Sequence, residues 1–320
     1  MTTTLHPEAP SVVGAPQQPT PRTPRKRHIS FTPYFLLIPA VVILAIAMGY
    51  PLVWQIVTST LKFGLSQQFG KPAEFVGLGN YLTLASDPYM WTVILRSVLF
   101  CFAAAAVTMG LGVLVALLMR AVGSAIRIII QISMLLAWAM PVVAAMTVWN
   151  WLFDWRRGVV NWVLTSVGLP FQNHNWLQNP VSFYFVALII VVWMSVPFVA
   201  FSLYAGLTQV SGEVLEAAQM DGATPRQRFQ FIIVPIIRPV ISIVLLLQVI
   251  WDLRVFTQIK LLQDAGSIAS ETNLLGTYIY QLGTGSSNFG TASAVSIFVL
   301  VLTVAISAFY VRSMLKEDES

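Results

Sequence analysis

The chain has 320 residues, 57% of them hydrophobic types and 10% charged. A water-soluble domain carries about 25% charged residues, and a chain this apolar cannot cover its own surface with polar groups, so lipid must replace water over much of it. The net charge of +5 comes with no basic groove interleaved with aromatics, which excludes nucleic acid as a partner, and the single Cys101, inside an apolar run, excludes an internal disulfide framework.

Residues 1–29 are rich in Pro, Thr and Gln and end in a basic cluster, Arg22, Arg25, Lys26 and Arg27. They hold too few apolar side chains to offset the entropy of ordering, which predicts a disordered cytoplasmic tail. Basic residues before an apolar run also describe a secretory signal, but the run from Tyr34 to Thr60 far exceeds a signal core of roughly 7–15 residues. It is read as the first membrane helix, and residues 30–320 as one membrane domain.

A helix needs about 20 mainly apolar residues to cross a bilayer. Six segments qualify, near 34–57, 97–119, 128–152, 182–206, 236–256 and 291–312; Gln248 and Asp252 interrupt the fifth. An even number of crossings leaves both termini on one side. With the N-terminus inside, Arg22, Arg25, Lys26, Arg27, Arg120, Arg127, Arg226, Arg228, Arg238, Arg312 and Lys316 fall inside. Lys62, Lys71, Arg96, Arg156, Arg157, Arg254 and Lys260 fall outside. The excess of inside charge predicts an N-in, C-in protein. The outer loops are then about 61–96, with Gly77-Leu78-Gly79-Asn80-Tyr81, about 153–181, with Trp155, Trp162 and Trp176 as boundary markers, and about 257–290, rich in Gly and Ser.

Between the fourth and fifth segments, residues 211–235 carry helix punctuation on the inside. Ser211 suits an N-cap, with Glu213 and Glu216 near the positive end of the helix dipole. Gly222 suits a C-terminal stop, and Thr224-Pro225 a second helix start. Phe229 and Phe231 follow before expected breaks at Pro235 and Pro239. Two helices this short need a docking partner to be stable.

In span five, Gln248, Trp251, Asp252 and Val255 recur at helical spacing, and in span four Met194, Ser195, Phe198, Phe201 and Ser202 share a face, with Pro197 expected to kink the helix. Polar groups inside a bilayer face a cavity or a partner helix. An amide, an indole and a carboxylate together suit a sugar, whose apolar C–H faces stack on rings while its hydroxyls need donors and acceptors. Bundle packing is the alternative reading, and Asp252 with Arg254 could instead be a charge pair at the outer end.

Glu216-Ala217-Ala218, Gly222 three residues on, and Ile232-Ile233-Val234-Pro235 resemble the EAA motif of ABC importer permeases; the one departure is Val234 where Leu is usual. The resemblance runs from about residue 30 to the end. It points to the carbohydrate-uptake, MalF-like branch through Gly77-Leu78 with Asn80-Tyr81, Ser195-Val196-Pro197-Phe198, Glu271-Thr272, Tyr278-Ile279-Tyr280 and Phe289-Gly290-Thr291-Ala292-Ser293-Ala294. Phe256-Thr257-Gln258-Ile259 and Gln263-Asp264-Ala265-Gly266-Ser267 depart from the branch's usual Phe-Asp-x-Ile and Thr-Gly-Gly-Gly-Pro elements, which bears on substrate identity rather than class.

The resemblance implies an all-α, six-helix permease of type I importer fold in a bacterial inner membrane. Glu216, Ala217, Ala218, Asp221, Gly222 and Pro235 would form the element that couples to an ATPase. Ser195, Phe198, Gln248, Trp251 and Asp252 would line the sugar path. It further implies a second permease subunit (a heterodimer), two ATP-binding subunits that hold ATP and Mg, and an extracytoplasmic sugar-binding lipoprotein; this chain itself would carry no cofactor and catalyse nothing. No Gly-x-x-x-x-Gly-Lys-Ser/Thr phosphate loop is present, and His6, His28 and His174 have no metal-ligand spacing. An ABC permease for glycerol phosphate or another small polar solute would favour cations along the path, whereas Arg96 and Arg254 lie near its outer ends. An ion-coupled secondary transporter would leave residues 211–235 unexplained, and a membrane enzyme would need a cluster of His, Asp or Cys within the spans.

Overall fold

The computed structural model describes residues 32–318, and the side chains of residues 35–314; the expected tail of residues 1–29 lies outside them. The chain divides between Tyr50 and Pro51 into two compact units. The first holds α1 (Thr32–Leu44), a π turn, Ala45–Gly49, and the first residue of α2 (Tyr50–Ser59), the rest of which opens the second.

From Ser59 the chain forms a short antiparallel ribbon, β1 (Leu61–Lys62) against β2 (Glu74–Phe75), with Leu61 opposite Phe75 and α3 (Leu65–Gln68) between the strands. After α4 (Gly79–Ser86) comes α5 (Pro88–Ala121), which starts well before the apolar run at residue 97. The reason is local: the Asp87 side chain accepts the Tyr89 N–H at 2.9 Å and Pro88 occupies the first turn, where a missing N–H costs nothing. The same device starts α9 (Pro180–Leu207), where Asn179 accepts the Val181 N–H at 2.8 Å ahead of Pro180. α9 runs unbroken through Pro197.

The expected straight third span is two helices, α6 (Ser124–Ala139) and α7 (Val142–Leu152), bent by 99°. Pro141 removes a backbone donor and forces Met140 into extended backbone, at φ −68° and ψ 128°. Taken together, the bent pair is long and apolar enough to make one span. α5 and α9 run parallel, since Phe100 meets Tyr184 near both starts and Gly112 meets Val199 further along. The chain must therefore return to its starting side between Ala121 and Pro180. Phe35–Ser59, Pro88–Ala121, Pro180–Leu207, Pro225–Asp264 and Phe289–Met314 are the other helices long and apolar enough to cross, so the described residues offer five spans, or six with the bent pair taken as one.

α8 (Val159–Ser166) lies in the loop before α9. After α9 come α10 (Gly212–Met220), α11 (Pro225–Arg228), a π turn over Phe229–Ile233, and α12 (Val234–Leu253). Pro235 and Pro239 do not break the chain as the sequence led us to expect: Pro235 falls in the first turn of α12 directly after the π turn, and the helix continues past Pro239. α12 runs antiparallel to α9, with Gly206 beside Val240 at one end and Phe198 beside Trp251 at the other. Then follow α13 (Thr257–Asp264), α14 (Ala269–Thr272), α15 (Leu275–Tyr280), a π turn over Gln281–Gly285, and α16 (Phe289–Asp318).

The core sits between α5, α9, α12 and α16. Phe183, Val186 and Ile190 of α9 pack against Phe100 and against Ile259 and Leu262 of α13. Ala294, Val295 and Val299 of α16 pack against Leu253 and Leu275. Ala116, Leu203, Leu207 and Ile237 close the opposite end. Outward-facing leucines, isoleucines and phenylalanines are widespread, as lipid-facing helices require.

Candidate functional site

Two groups of residues stand out. The first lies past the C-terminal end of α9. The Ser211 hydroxyl accepts the Val214 N–H at 3.4 Å and starts α10, with Glu213 in its first turn. Gly222 ends the helix at φ +81°, a left-handed conformation in which a Cβ is strained. Thr224 then forms a capping box with Gln227, whose side-chain oxygen accepts the Thr224 N–H at 2.8 Å. The Arg228 guanidinium donates to Gln219 at 3.1 Å, tying the second helix back to the first.

The element is seated by Leu215 and Phe229, which pack on the core beneath, while Glu216, Ala217, Asp221 and Gly222 face outward and Ala218 is half-buried. Val214 is 47% and Met220 89% exposed. Pro235, exposed, lies beyond the π turn on α12 and not on this face of short helices. Arg120, Arg226 and Arg228 lie toward this end, and Arg127 caps the α5–α6 turn by donating to the carbonyls of Met119 at 2.8 Å and Val122 at 3.0 Å.

The second group lies in the bundle. The Phe198 ring of α9 meets the Trp251 ring of α12 with centroids 4.9 Å apart, and the Trp138 ring of α6 lies 6.4 Å from Phe198. Three helices thus contribute one row of rings. Trp251 is 46% exposed, and Ser195, one turn before Phe198, is half-buried. Trp138 was not among the residues singled out from sequence; it lies in an aromatic-poor helix with no polar neighbour to mark it.

Gln248 and Asp252 do not share the open face with Trp251. They are 0% and 3% exposed, and the Gln248 amide nitrogen donates to both Asp252 oxygens at 2.9 Å. Cys101 of α5 donates to the Val249 carbonyl beside them at 3.4 Å. The expected polar stripe of α12 is therefore split, with the amide and carboxylate turned into the bundle and the indole turned out. Asp252 makes no ion pair with Arg254 among the described residues. A separate cavity of about 610 Å³ between α5, α6, α7 and α9 offers one hydroxyl, Ser133, and two indoles, Trp149 and Trp193, in otherwise apolar walls, poor chemistry for a polyhydroxylated solute.

The far end is held by hydrogen bonds that the sequence did not signal. Asn80 donates to the carbonyls of Ser59 at 2.8 Å and Leu61 at 2.9 Å, and Tyr81 donates to the Ser59 hydroxyl at 2.7 Å. Gly290 lies so close that a Cβ there would stand 2.3 Å from the Leu61 carbonyl. The Gly-Leu-x-Asn-Tyr element and the start of α16 are thereby one joint. Asn273 takes an N–H from Gln263 at 3.2 Å and donates to the Tyr89 hydroxyl at 2.9 Å, binding the 254–288 loop to α5. Burial, and then the Asp87 carboxylate, push the Tyr278 hydroxyl up to about 12, so it stays protonated as the donor to Asp87, 3.4 Å away.

Residues 109–313, which hold the helix–glycine–helix element and both α9 and α12, match the family described as binding-protein-dependent transport system inner membrane component. The chain belongs to this family. The permease is 35% identical over 291 residues to the diacetylchitobiose uptake system permease protein DasB of Streptomyces coelicolor, covering 91% of this chain and 88% of that one. It is 30% identical to the sulfoquinovosyl glycerol transport system permease protein SmoG of Agrobacterium fabrum, covering 88% and 90%, and 30% identical to the trehalose/maltose transport system permease protein MalF of Thermococcus litoralis, covering 87% and 92%. The permease shares its fold with a chain of a bacterial ABC transporter that imports the acidic polysaccharide alginate, at TM-score 0.77 and 23% identity, covering 89% and 96%. Its class is thus an inner-membrane component of a binding-protein-dependent transporter, and not an enzyme.

Proposed function

We propose that the permease forms half of the translocation path for a sugar and is driven by ATP hydrolysed in separate subunits. The relatives are named for diacetylchitobiose uptake, sulfoquinovosyl glycerol transport and trehalose/maltose transport, which supports a mono-, di- or oligosaccharide as solute. The row Trp138, Phe198 and Trp251, with the Ser195 hydroxyl beside it, supplies the stacking faces and a polar contact that a sugar ring requires. Gln248 and Asp252 stand behind that row and enter the path only if α12 turns about its axis between states.

The observation that carries the ATP-driven reading is the exposure of α10. A helix of nine residues that presents Val214, Glu216, Ala217 and Met220 to the outside, seated from beneath by Leu215 and Phe229, is a surface made to be covered. Its occupant is a groove on an ATP-binding subunit, two of which bind ATP and Mg and work this chain and a second permease subunit as a heterodimer. An extracytoplasmic sugar-binding lipoprotein loads the opposite end, and both termini of the permease face the cytoplasm.

Cysteine at position 220 in an otherwise active transporter tests this reading. Oxidative cross-linking of Met220→Cys to a cysteine in the ATP-binding subunit is expected, at a yield that changes with ATP. No cross-link to any ATP-binding subunit in the assembled particle refutes the coupling role. Uptake of labelled neutral oligosaccharides, against labelled glycerol phosphate, into proteoliposomes tests the solute class.

A further inference from the structure

Arg96 is the cation nearest the start of a long apolar helix, and the structure gives it no acid. Its guanidinium donates to the Ser270 carbonyl at 3.1 Å, and it meets no carboxylate among the described residues. The Tyr89 hydroxyl donates to the same carbonyl at 2.9 Å, so the loop end that anchors Arg96 is fixed from two sides. Beneath Arg96 a groove of about 340 Å³ runs between α5 and α9, walled by Leu99 and Ala103 from one helix and Val181, Phe185 and Leu188 from the other. Leu99, Val181 and Phe185 are exposed. Because α5 and α9 are parallel, these residues follow each other down both helices by about a turn each, and the groove descends from the cation into the apolar zone.

The depth fits a membrane boundary. α5 has 34 residues and spans about 51 Å, against about 30 Å of hydrocarbon. Arg96 lies about 12 Å from the first residue, where a helix centred on the bilayer leaves the hydrocarbon. This end is the one remote from α10, since α9 starts here and runs toward it.

We infer that the α5–α9 groove holds one anionic phospholipid, its phosphate on the Arg96 guanidinium and one acyl chain along Leu99, Ala103, Val181 and Leu188. A guanidinium presents donors in a fork that matches two phosphate oxygens. Only one of its contacts is used by Ser270, which orients the fork without filling it. An apolar trough alone would take any chain; the unpaired cation at its mouth selects the anionic headgroup. The site does not depend on the sugar reading or on the coupling role of α10.

The test is native mass spectrometry of the full-length protein, purified in detergent with the subunits it assembles with and offered phosphatidylglycerol or phosphatidylcholine at equal concentration. Wild type is expected to retain one phosphatidylglycerol at least ten-fold more tightly than phosphatidylcholine. Arg96→Gln is expected to remove that preference while leaving weak retention of both, and Ala103→Trp, which fills the groove, to remove retention of both with assembly unchanged. An Arg96→Gln protein with the wild-type preference overturns the headgroup assignment. An Ala103→Trp protein that retains the lipid, or that loses a protein subunit instead, overturns the groove assignment, the second result marking a subunit interface.

Discussion

Gln248 offers its amide nitrogen to both carboxylate oxygens of Asp252, one helical turn away and wholly inside the bundle. In a low-dielectric interior the Asp252 oxygens are satisfied only while Gln248 is present, and the Gln248 side-chain oxygen has no partner of its own among the described residues. Removing the donor strands a carboxylate; removing the charge does not.

Asp252→Asn is therefore expected to be mild, and Gln248→Leu more severe, by about 1–3 kcal/mol, the cost of a buried polar group left without its partner. Detergent-solubilised yield and thermal midpoint read the difference. Equal behaviour of the two variants would show that the pair does not hold the bundle together.

Gly112 and Val199 report on how closely α5 and α9 approach. A Cβ at position 112 would stand 2.4 Å from Val199 Cγ1. Gly112→Ala should destabilise by about 1–3 kcal/mol through overpacking, and adding Val199→Ala should restore most of the loss. Additive losses in the double variant, measured by thermal midpoint, would contradict this contact.

The backbone at Gly222, at φ +81°, sets a chemical order on substitutions there. Asn tolerates the left-handed region, a β-branched residue does not, at about 1–2 kcal/mol. Gly222→Asn should keep most ATP-driven uptake in proteoliposomes and Gly222→Val should lose it. Wild-type uptake by Gly222→Val would separate this turn from transport.

For the ring row, Trp251→Ala is expected to raise the half-saturation concentration for uptake about ten-fold, equivalent to about 1.4 kcal/mol, and Trp251→Phe to recover most of it. Uptake that follows the wild-type curve over the whole concentration range removes Trp251 from the path.

Much of this architecture was legible because length and apolarity alone define a crossing. The segments near 34–57, 182–206 and 291–312 needed nothing more, and the fifth tolerates Gln248 and Asp252 because the amide nitrogen and the carboxylate pair with each other inside the bundle. Boundaries were read less well. Thr224-Pro225 was recognised as a helix start, yet Asp87-Pro88 and Asn179-Pro180 carry the same signal, and reading them would have moved the second span nine residues earlier, from residue 97 to Pro88. Pro141 was passed over within an apolar run that looked continuous. The inner and outer faces of α12 could not be ranked, because apolar side chains surround that helix and spacing alone cannot say which neighbour it turns toward. Trp138 joins Phe198 only through tertiary packing, which local sequence does not encode.

From Pro225 to Leu253 the chain is helical without interruption, through a π turn and past two prolines. At 29 residues this is about 43 Å of stiff backbone, with the surface of short helices at one end and Trp251 at the other. In the proposed coupling such a member would act as a crankshaft, passing torque applied at its foot to its head as rotation. Its regular hydrogen bonding is broken at the widened turn Phe229–Ile233 and at Pro239, which brings no N–H of its own. On that reading, the stiffness of these two places sets how much of a push at one end would be spent in bending before it reached the rings at the other.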